Sequence, residues 1–217
     1  PLPAPAGSTS VTSFNGVRAS GRSIGTPGAV RMLEMAYQDN GKLPWNTLFQ
    51  PAAKLATDGF QIRGRLADAI VLNRTSPQND AEATAHFLNA DGTAKALGTL
   101  LKNPAYAETV TAIGSGGANA FYTGPIAQAI VDKIKMSNGV TTTITPGLTE
   151  MSDLANYTAV RRTPVCTTYR AYWVCGMPPP SSGGIAVAQT LGILENYAMS
   201  NFAPTTLTLD GGKPTVM

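Results

Sequence analysis

Charged side chains are scarce in this sequence, and their scarcity excludes several classes of protein. Asp, Glu, Lys and Arg form 13% of the 217 residues, about half of the roughly 25% that is usual in globular domains. The 16 cations and 13 anions leave a net charge of +3 and are scattered, which indicates a solvated surface and no nucleic-acid partner. With 43% hydrophobic residues, the chain can form a buried core and is not a disordered protein.

Long apolar runs and histidines are equally scarce. No stretch approaches the roughly 20 apolar residues of a membrane-spanning helix, so no membrane partner is expected. The single histidine, His86, falls within a predicted helix and no nucleophile is marked beside it, so we predict a packing or surface role. The sequence has neither a Gly-x-Ser-x-Gly elbow nor a cluster of His, Cys and carboxylates, so we expect no metal and no cofactor.

Some polar groups have a superficial likeness to active-site chemistry. Asp39 with Glu34, and Asp80 with Glu82, could be written as acid and base, but exposed carboxylates are the default. The segment Gly114-Ser115-Gly116-Gly117 resembles a phosphate loop, yet it follows no predicted strand and lacks Gly-Lys-Ser/Thr, so we predict a helix end. The residues by themselves identify no catalytic, substrate-binding or metal-binding side chain.

Hydrophobic residues recur at helical spacing through most of the segment 25–156. The first predicted helix starts at Thr26-Pro27, with Thr26 as its cap, and stops at a left-handed Asn40-Gly41. The second, from about 46 to 58, should be kinked or split by Pro51 and ended by Gly59. Further helices are predicted at 63–72, 81–88, 93–102, 105–113 and 125–136, and a short one begins at Thr149 with a simple N-cap and no capping box.

The composition changes near residue 157, where β-branched and aromatic residues become frequent. Residues 157–169 and 171–177 favour the two strands of a hairpin, which the prolines at 178–180 end. Ser181 or Ser182 then caps a last helix that runs to about residue 197. The predicted buried stripe of that helix consists of Val187, Leu191, Leu194 and Ala198.

These patterns predict an α+β chain that is mostly helical and carries a C-terminal β-hairpin and a final helix. We expect an extended segment at 1–24, a helical region at 25–156, the hairpin plus helix at 157–200 and an extended tail at 201–217. The chain begins with Pro1 and ends without closing an element, so we expect a piece of a longer protein.

Cys166 and Cys175 are the only thiols of the chain. If the hairpin turns on Arg170-Ala171, the two cysteines form a directly opposed, non-hydrogen-bonded pair with Cα atoms about 4.5 Å apart. A disulfide would then be possible, would add about 1–2 kcal/mol by closing a short loop, and would imply an oxidising compartment. The alternative is two reduced, half-buried cysteines, and the residues leave both open.

A series of short motifs runs through the chain in the order found in one known family. They are Arg18–Gly28, Leu43–Phe60, Phe121–Ala127, Leu148–Tyr157 and, most specific, Tyr169-Arg170, Met177–Ile185 and Leu194-Glu195-Asn196. The series resembles the γ-glutamyltransferase (γ-glutamyltranspeptidase, glutathione hydrolase) family over about residues 18–197.

The resemblance implies an N-terminal nucleophile hydrolase with an αββα sandwich, periplasmic or secreted. One precursor cuts itself into a large and a small subunit, and the new N-terminal Thr of the small subunit attacks the γ-glutamyl amide of glutathione. The glutamyl group then passes to water, an amino acid or a peptide. The implied partners are the remainder of the large subunit, the small catalytic subunit and the γ-glutamyl substrate.

The family's catalytic motifs do not occur in this sequence. Its nucleophile lies in Thr-Thr-His, whereas Thr141-Thr142, Thr167-Thr168 and Thr205-Thr206 are never followed by His, and no Arg-Glu pair occurs for the glutamyl carboxylate. Ser181-Ser182-Gly183-Gly184 matches a large-subunit motif, for which a helix cap is favoured and ligand contact stays open. We therefore predict an internal part of the large subunit that is inactive alone and has no catalytic residue.

Two alternatives remain at this point, one from another functional class and one from the same enzyme superfamily. The absence of catalytic residues fits a self-standing, non-catalytic helical binding module of the periplasm. The second is a related N-terminal nucleophile amidase that acts on another amide, such as a cephalosporin acylase or an enzyme that processes poly-γ-glutamate. Substrate-binding residues outside this segment would distinguish it.

Overall fold

The chain divides into two units, Pro1–Ala159 (unit 1) and Val160–Met217 (unit 2), and helices form most of the described part of unit 1. The computed structural model describes residues 20–73, 80–139, 144–202, 207–210 and 213–216. Unit 1 contains α1 (Ala29–Asn40), α2 (Gln50–Asp58), α3 (Gly64–Leu72), α4 (Ala81–Phe87), α5 (Pro104–Gly116), α6 (Asn119–Tyr122), α7 (Gly124–Ile134), α8 (Met151–Ala155), 3-10 turns at Gly21–Ser23 and Trp45–Leu48, and strands β1 (Phe60–Gln61) and β2 (Leu100–Leu101).

The start of α1 differs from the prediction. The N-cap is Gly28 and makes no side-chain capping bond, so Thr26 is not the cap and Pro27 lies outside the helix. The third helical N–H, that of Arg31, instead donates to the hydroxyl of Tyr122, 91 residues away. The end is also different, because Gly41 has a φ of −63° and is not left-handed.

The break in the second predicted helix is confirmed. Residues Trp45–Leu48 form a 3-10 turn, and α2 begins at Gln50 with Pro51 in its first turn, where the missing N–H costs nothing. Gly59 ends α2 with a φ of +91°, a conformation that glycine adopts without strain. The indole of Trp45 donates to the carbonyl of Ile113 at 3.0 Å, which ties this turn to α5.

The predicted helix at 93–102 is wrong. Leu100 and Leu101 pair antiparallel with β1, and the N–H of Ile62 extends the ladder by donating to the carbonyl of Thr99 at 2.9 Å. Gly98, with a φ of +86°, makes the reversal that precedes the strand. Ile62 and Leu101 are 0% and 4% exposed, so burial of both side chains through strand pairing overrides the helical spacing.

The short helix α6 is absent from the prediction, whereas the other helices of unit 1 follow it with small shifts at their ends. α5 continues through Gly116, three residues past the expected stop at Ile113, and Gly117 ends it with a φ of +71°. α8 starts one residue later than expected, so its N-cap is Glu150. That shift places Asp153 at the third helical position, where its carboxylate and that of Glu150 form a capping box. The prediction of a simple N-cap is therefore wrong.

Two small apolar cores stabilise unit 1. One joins α6, α7 and α8, and the other joins the β1–β2 pair to α3 and α4. Within the described ranges, every helix falls short of the length and apolarity needed to cross a membrane. The buried members are Ala118, Tyr122, Ala127, Val131 and Leu154 in the first core, and Ile62, Ile70, Leu88 and Leu101 in the second.

Unit 2 is built on a β-hairpin followed by a helix. The predicted register is confirmed, because Tyr169 faces Tyr172 across Arg170-Ala171. The elements are β3 (Val165–Tyr169), β4 (Tyr172–Gly176), α9 (Gly183–Leu194), a 3-10 turn at Met199–Phe202, and the antiparallel pair β5 (Leu207–Asp210) and β6 (Lys213–Val216), which lies in the segment expected to be an extended tail.

The predicted buried stripe on α9 is wrong. Val187 is 49% exposed and Ala198 is exposed, while Leu191 and Leu194 are only half-buried. No residue between 160 and 201 is buried, although all of these residues are described. The hairpin and α9 therefore leave much apolar surface uncovered in this chain.

Candidate functional site

The carboxylates that could have formed an acid–base pair serve structural contacts. Asp80 caps α4 by accepting from the N–H of Ala83 at 2.9 Å and pairs with Lys133 of α7, which also contacts Glu82 at 3.2 Å. Partial burial disfavours the charge on Asp80, but the Lys133 ammonium and the Ala83 N–H outweigh it and lower the pKa of this carboxyl. These groups hold α4 on α7.

A groove of about 810 Å³ lies beside this ion pair. Phe121, Ile126 and Ile130 supply apolar walls, and Glu82 and Lys133 lie among the polar residues that line it. Such a lining can bind an apolar group, but the lysine is already engaged by two carboxylates.

His86 lies on α4, half-buried, with its ring edge-on to Phe87 at 4.6 Å between centroids. Burial, and to a smaller extent the charge of Lys95, lower the pKa of the imidazole from its ordinary value of 6.5. This placement agrees with the predicted packing role.

The lowered pKa of His86 predicts a pH dependence of stability. Because the unfolded chain binds the proton more readily, the stability that His86 contributes is complete above the ordinary pKa and is lost as the pH falls through and below it. The free energy of unfolding should therefore decline as the pH falls through the ordinary pKa of 6.5. His86→Gln should flatten this decline in urea titrations, and an equally steep decline in the variant would contradict the assignment.

A partly buried polar cluster around Tyr122 joins the start of α1 to α6. The hydroxyl of Tyr122 donates to the carbonyl of Pro27 at 2.7 Å and accepts from the N–H of Arg31 at 3.1 Å. The Arg31 guanidinium lies 4.7 Å above the Tyr122 ring and donates to Glu34 at 2.8 Å and to Asn119 at 2.9 Å. Glu34 also accepts from the N–H of Ala118, so Glu34 fixes helix ends and is not paired with Asp39.

Removing the hydroxyl in Tyr122→Phe should lower the free energy of unfolding by about 1.5 kcal/mol, because a helix N–H and a carbonyl lose their partner. Tyr106→Phe is the matched control, since Tyr106 is 50% exposed, and its effect should be close to zero. Thermal unfolding measured by circular dichroism compares the two. Equal melting temperatures would show that the hydroxyl does not cap α1.

In unit 2, the structure brings together two of the sequence motifs, Tyr169-Arg170 and Leu194-Glu195-Asn196. The backbone N–H of Arg170 donates to the Glu195 carboxylate at 3.1 Å. Its guanidinium donates to the carbonyls of Leu194 and Glu195 at 3.4 and 3.3 Å and to that of Tyr197, 2.6 Å away. Arg170 therefore holds the carbonyl of the last residue of α9 and two carbonyls of the turn that follows it.

This cap requires an unusual backbone conformation at the turn. Arg170 has a φ of +56°, the only positive φ of a non-glycine residue among those described. Such a conformation costs about 1–2 kcal/mol in a residue with a side chain. It directs the Arg170 N–H at Glu195, so the contacts with α9 offset the strain. The motif Tyr169-Arg170 does not predict this geometry, because the contact joins residues 25 positions apart.

The third motif, Met177–Ile185, joins the other ends of the hairpin and α9. A Cβ built on Gly176 would lie 2.7 Å from the Cα of Gly184, and one built on Gly184 would lie 3.0 Å from the Gly176 carbonyl carbon and closer still to the Met177 carbonyl oxygen. Glycine at both positions therefore permits direct backbone contact. Ser182 is the N-cap residue of α9, as predicted, but its side chain makes no capping hydrogen bond.

The structure joins Cys166 and Cys175 in a disulfide across the hairpin, with Cα atoms 4.1 Å apart. The predicted register places them opposite each other, as observed. Of the three Thr-Thr pairs, Thr167-Thr168 lies in β3, whereas 141–142 and 205–206 lie outside the described residues. Among the side chains that the structure describes, no three His, Cys, Asp or Glu residues converge as a metal site would.

Comparison with known proteins gives consistent matches over most of the chain. The family model described as gamma-glutamyltranspeptidase matches residues 4–209. The glutathione hydrolase proenzyme of Escherichia coli (strain K12) is 36% identical over 178 residues, which cover 82% of this chain and 29% of that protein. The glutathione hydrolase proenzyme of Arthroderma benhamiae is 37% identical over 186 residues, covering 84% and 30%. The chain thus spans about three tenths of these curated relatives.

Solved structures show the same relationship. The γ-glutamyltranspeptidase of Helicobacter pylori superimposes with a TM-score of 0.77 at 29% identity, covering 89% of this chain and 53% of that one. A transpeptidase enzyme of Bacillus anthracis gives 0.68 at 29% identity, covering 83% and 58%. A cephalosporin acylase of Bacillus halodurans gives 0.64 at 24% identity over 79% and 31%, a likeness of fold alone. The predicted fold class, a mostly helical part of the N-terminal nucleophile hydrolase fold, is confirmed.

Proposed function

The chain belongs to the γ-glutamyltranspeptidase family, and from that premise we propose that it is part of an enzyme that cleaves the γ-glutamyl amide of glutathione. The glutamyl group would pass to water, an amino acid or a peptide. The observation that carries the proposal is the packing of the three C-terminal motifs into one hairpin–helix unit, within a family match that extends over residues 4–209.

The role proposed for this segment is to support the catalytic site and not to supply it. His86 is engaged in packing, and the carboxylates Glu34 and Asp80 cap helix ends. The attacking group would come from the small catalytic subunit, as an N-terminal Thr whose amine acts as the base. We therefore propose that this chain has no catalytic or substrate-binding residue of its own and shapes the wall of the substrate cleft.

The uncovered surface of unit 2 supports association with the rest of such an enzyme. Trp173 is 75% exposed, Tyr172 72% and Ile193 63%, and no residue between 160 and 201 is buried. Apolar surface of this extent is typical of a face that another part of a protein covers. We propose that the remainder of the large subunit and the small subunit cover it.

The disulfide supports a periplasmic or secreted location. Disulfides persist in oxidising compartments and are reduced in the cytosol of most organisms. The Cys166–Cys175 bond therefore favours a location outside the cytoplasm for the complete enzyme.

Glutamate release tests the supporting role. The purified 217-residue chain should release no glutamate from glutathione and no nitroaniline from γ-glutamyl-p-nitroanilide. The enzyme expressed from the complete gene should turn over both. Turnover by the 217-residue chain alone would overturn the assignment of this segment as non-catalytic.

Two substrates test which amide the complete enzyme cleaves. Glutathione should be hydrolysed, whereas a cephalosporin side-chain amide should not. Preference for the cephalosporin would assign the protein to an acylase function, and saturable binding of glutathione by the 217-residue chain without a partner would favour a binding module.

A further inference from the structure

The disulfide lies at the open end of the hairpin, next to the contact between β4 and α9. Cys166 and Cys175 form the second-to-last pair of the ladder, and Val165 and Gly176 form the last. Gly176 is half-buried and meets the backbone of Gly184 in α9. Because side chains alternate along a strand, Cys175 and its partner project to the opposite face, where both are exposed.

The hairpin and α9 have similar lengths, so contacts can join them at both ends. A helix of 12 residues is about 18 Å long, and a strand of five residues spans about 17 Å. At the turn end, Arg170 donates to the carbonyl of Leu194, the last residue of α9, and to those of Glu195 and Tyr197 just beyond it. At the open end, the observed contact is the close backbone approach of Gly176 to Gly184, which depends on where the two strand ends lie.

We propose that the Cys166–Cys175 disulfide is a redox-sensitive clamp on the junction of β4 and α9, and that a small thiol of the glutathione class opens it. The choice of glutathione as the thiol rests on the proposed function; the clamp itself does not. With the bond intact, the ladder holds Gly176 against Gly184. With the bond reduced, the strand ends separate, and residues 177–182 lose their fixed position.

The chemistry is two successive thiol–disulfide exchanges. The thiolate of one glutathione attacks the Cys166 or Cys175 sulfur, the S–S bond breaks, and the other cysteine leaves as a thiolate that takes a proton. A second glutathione thiolate attacks the glutathione sulfur of the mixed disulfide and releases the remaining cysteine. Two glutathione thiols are thereby oxidised to one glutathione disulfide, and the protein disulfide is reduced to two thiols.

Amide hydrogen exchange of the complete 217-residue chain, read by mass spectrometry, tests the clamp. Reduction with dithiothreitol should speed exchange of peptides covering 164–182 by about tenfold, while α5 stays protected, since a loss of 1–2 kcal/mol corresponds to a factor of about 5–30. A variant with Cys166→Ser and Cys175→Ser should show the fast exchange in both redox states. Unchanged exchange at 164–182 after full reduction would overturn the proposal.

The identity of the thiol is tested separately on the same chain. Reduced glutathione at millimolar concentration should reproduce the effect of dithiothreitol, and glutathione disulfide should reverse it. If dithiothreitol loosens 164–182 but reduced glutathione leaves the bond intact, glutathione is excluded as the thiol. If the complete enzyme fails to hydrolyse glutathione, the proposed function falls, whereas the exchange measurements with dithiothreitol still decide the clamp.

Discussion

Replacing Gly21 with alanine should lower the free energy of unfolding of unit 1 by about 3 kcal/mol, since an added methyl group would overpack a site with rigid backbone on two sides. A Cβ on Gly21 would lie 2.6 Å from the backbone nitrogen of Gly147 and closer still to the carbonyl oxygen of Ile134. The Gly147 N–H donates to the same Ile134 carbonyl at 2.8 Å, and the Gly21 N–H donates to Thr145 at 3.2 Å. To make room for the methyl group, the 3-10 turn at Gly21–Ser23 would have to move away from the end of α7.

The two tryptophans of the chain, Trp45 and Trp173, allow the units to be followed separately. In a Trp173→Phe background, the fluorescence of Trp45 reports urea unfolding of unit 1. Gly25→Ala is the matched control from the same motif, because a Cβ there has no heavy atom within 4 Å, and its effect should be within about 0.5 kcal/mol. Equal midpoints for the Gly21 and Gly25 variants would show that the close backbone approach is not present in solution.

The hairpin was the most predictable part of the fold, because its signals are local. β-Branched and aromatic residues indicate the strands, and a two-residue turn fixes every cross-strand pair in a ladder of period two. Placing the turn at Arg170-Ala171 therefore sets Cys166 opposite Cys175, as the structure shows. The break of the second predicted helix just before Gln50-Pro51 is predictable for the same reason, since the missing N–H acts within one turn.

The failures arise where residues distant in sequence decide the local structure. Thr26 looks like a helix cap, but the hydroxyl that binds the α1 backbone belongs to Tyr122. The segment 93–102 has helical spacing, but Leu101 pairs with Phe60 in a strand ladder and joins the second apolar core. Arg170 carries a family motif, yet its contact with Glu195 requires a left-handed turn residue that side-chain propensity disfavours.

The failure on α9 has a different physical origin. The helix Gly183–Leu194 has no charged residue, so its sequence contains no polar face from which a buried stripe could be distinguished. A helix that is apolar on all sides is usually covered on more than one face. In this chain Ile185, Val187 and Ile193 are 38%, 49% and 63% exposed, which agrees with the proposal that α9 belongs to the interior of a larger enzyme.

Gly184→Ala should separate the start of α9 from the hairpin. Alanine improves helix propensity by about 1 kcal/mol over glycine, but overpacking against the backbone of Gly176 and Met177 should cost about 3 kcal/mol. The clash outweighs the propensity gain, so we expect a net loss of about 2 kcal/mol in unit 2. In a Trp45→Phe background, the fluorescence of Trp173 during urea unfolding measures this loss of stability.

Gly192→Ala in the same helix separates the effect of helix propensity from the effect of overpacking. No heavy atom lies within 4 Å of a Cβ at Gly192, so only the propensity term remains, and the variant should gain about 1 kcal/mol. The opposite signs at Gly184 and Gly192 cannot arise from helix propensity, because both substitutions are identical and both lie in α9. Stabilisation by both substitutions would mean that α9 forms without resting on β4, and it would remove the backbone contact on which the redox clamp depends.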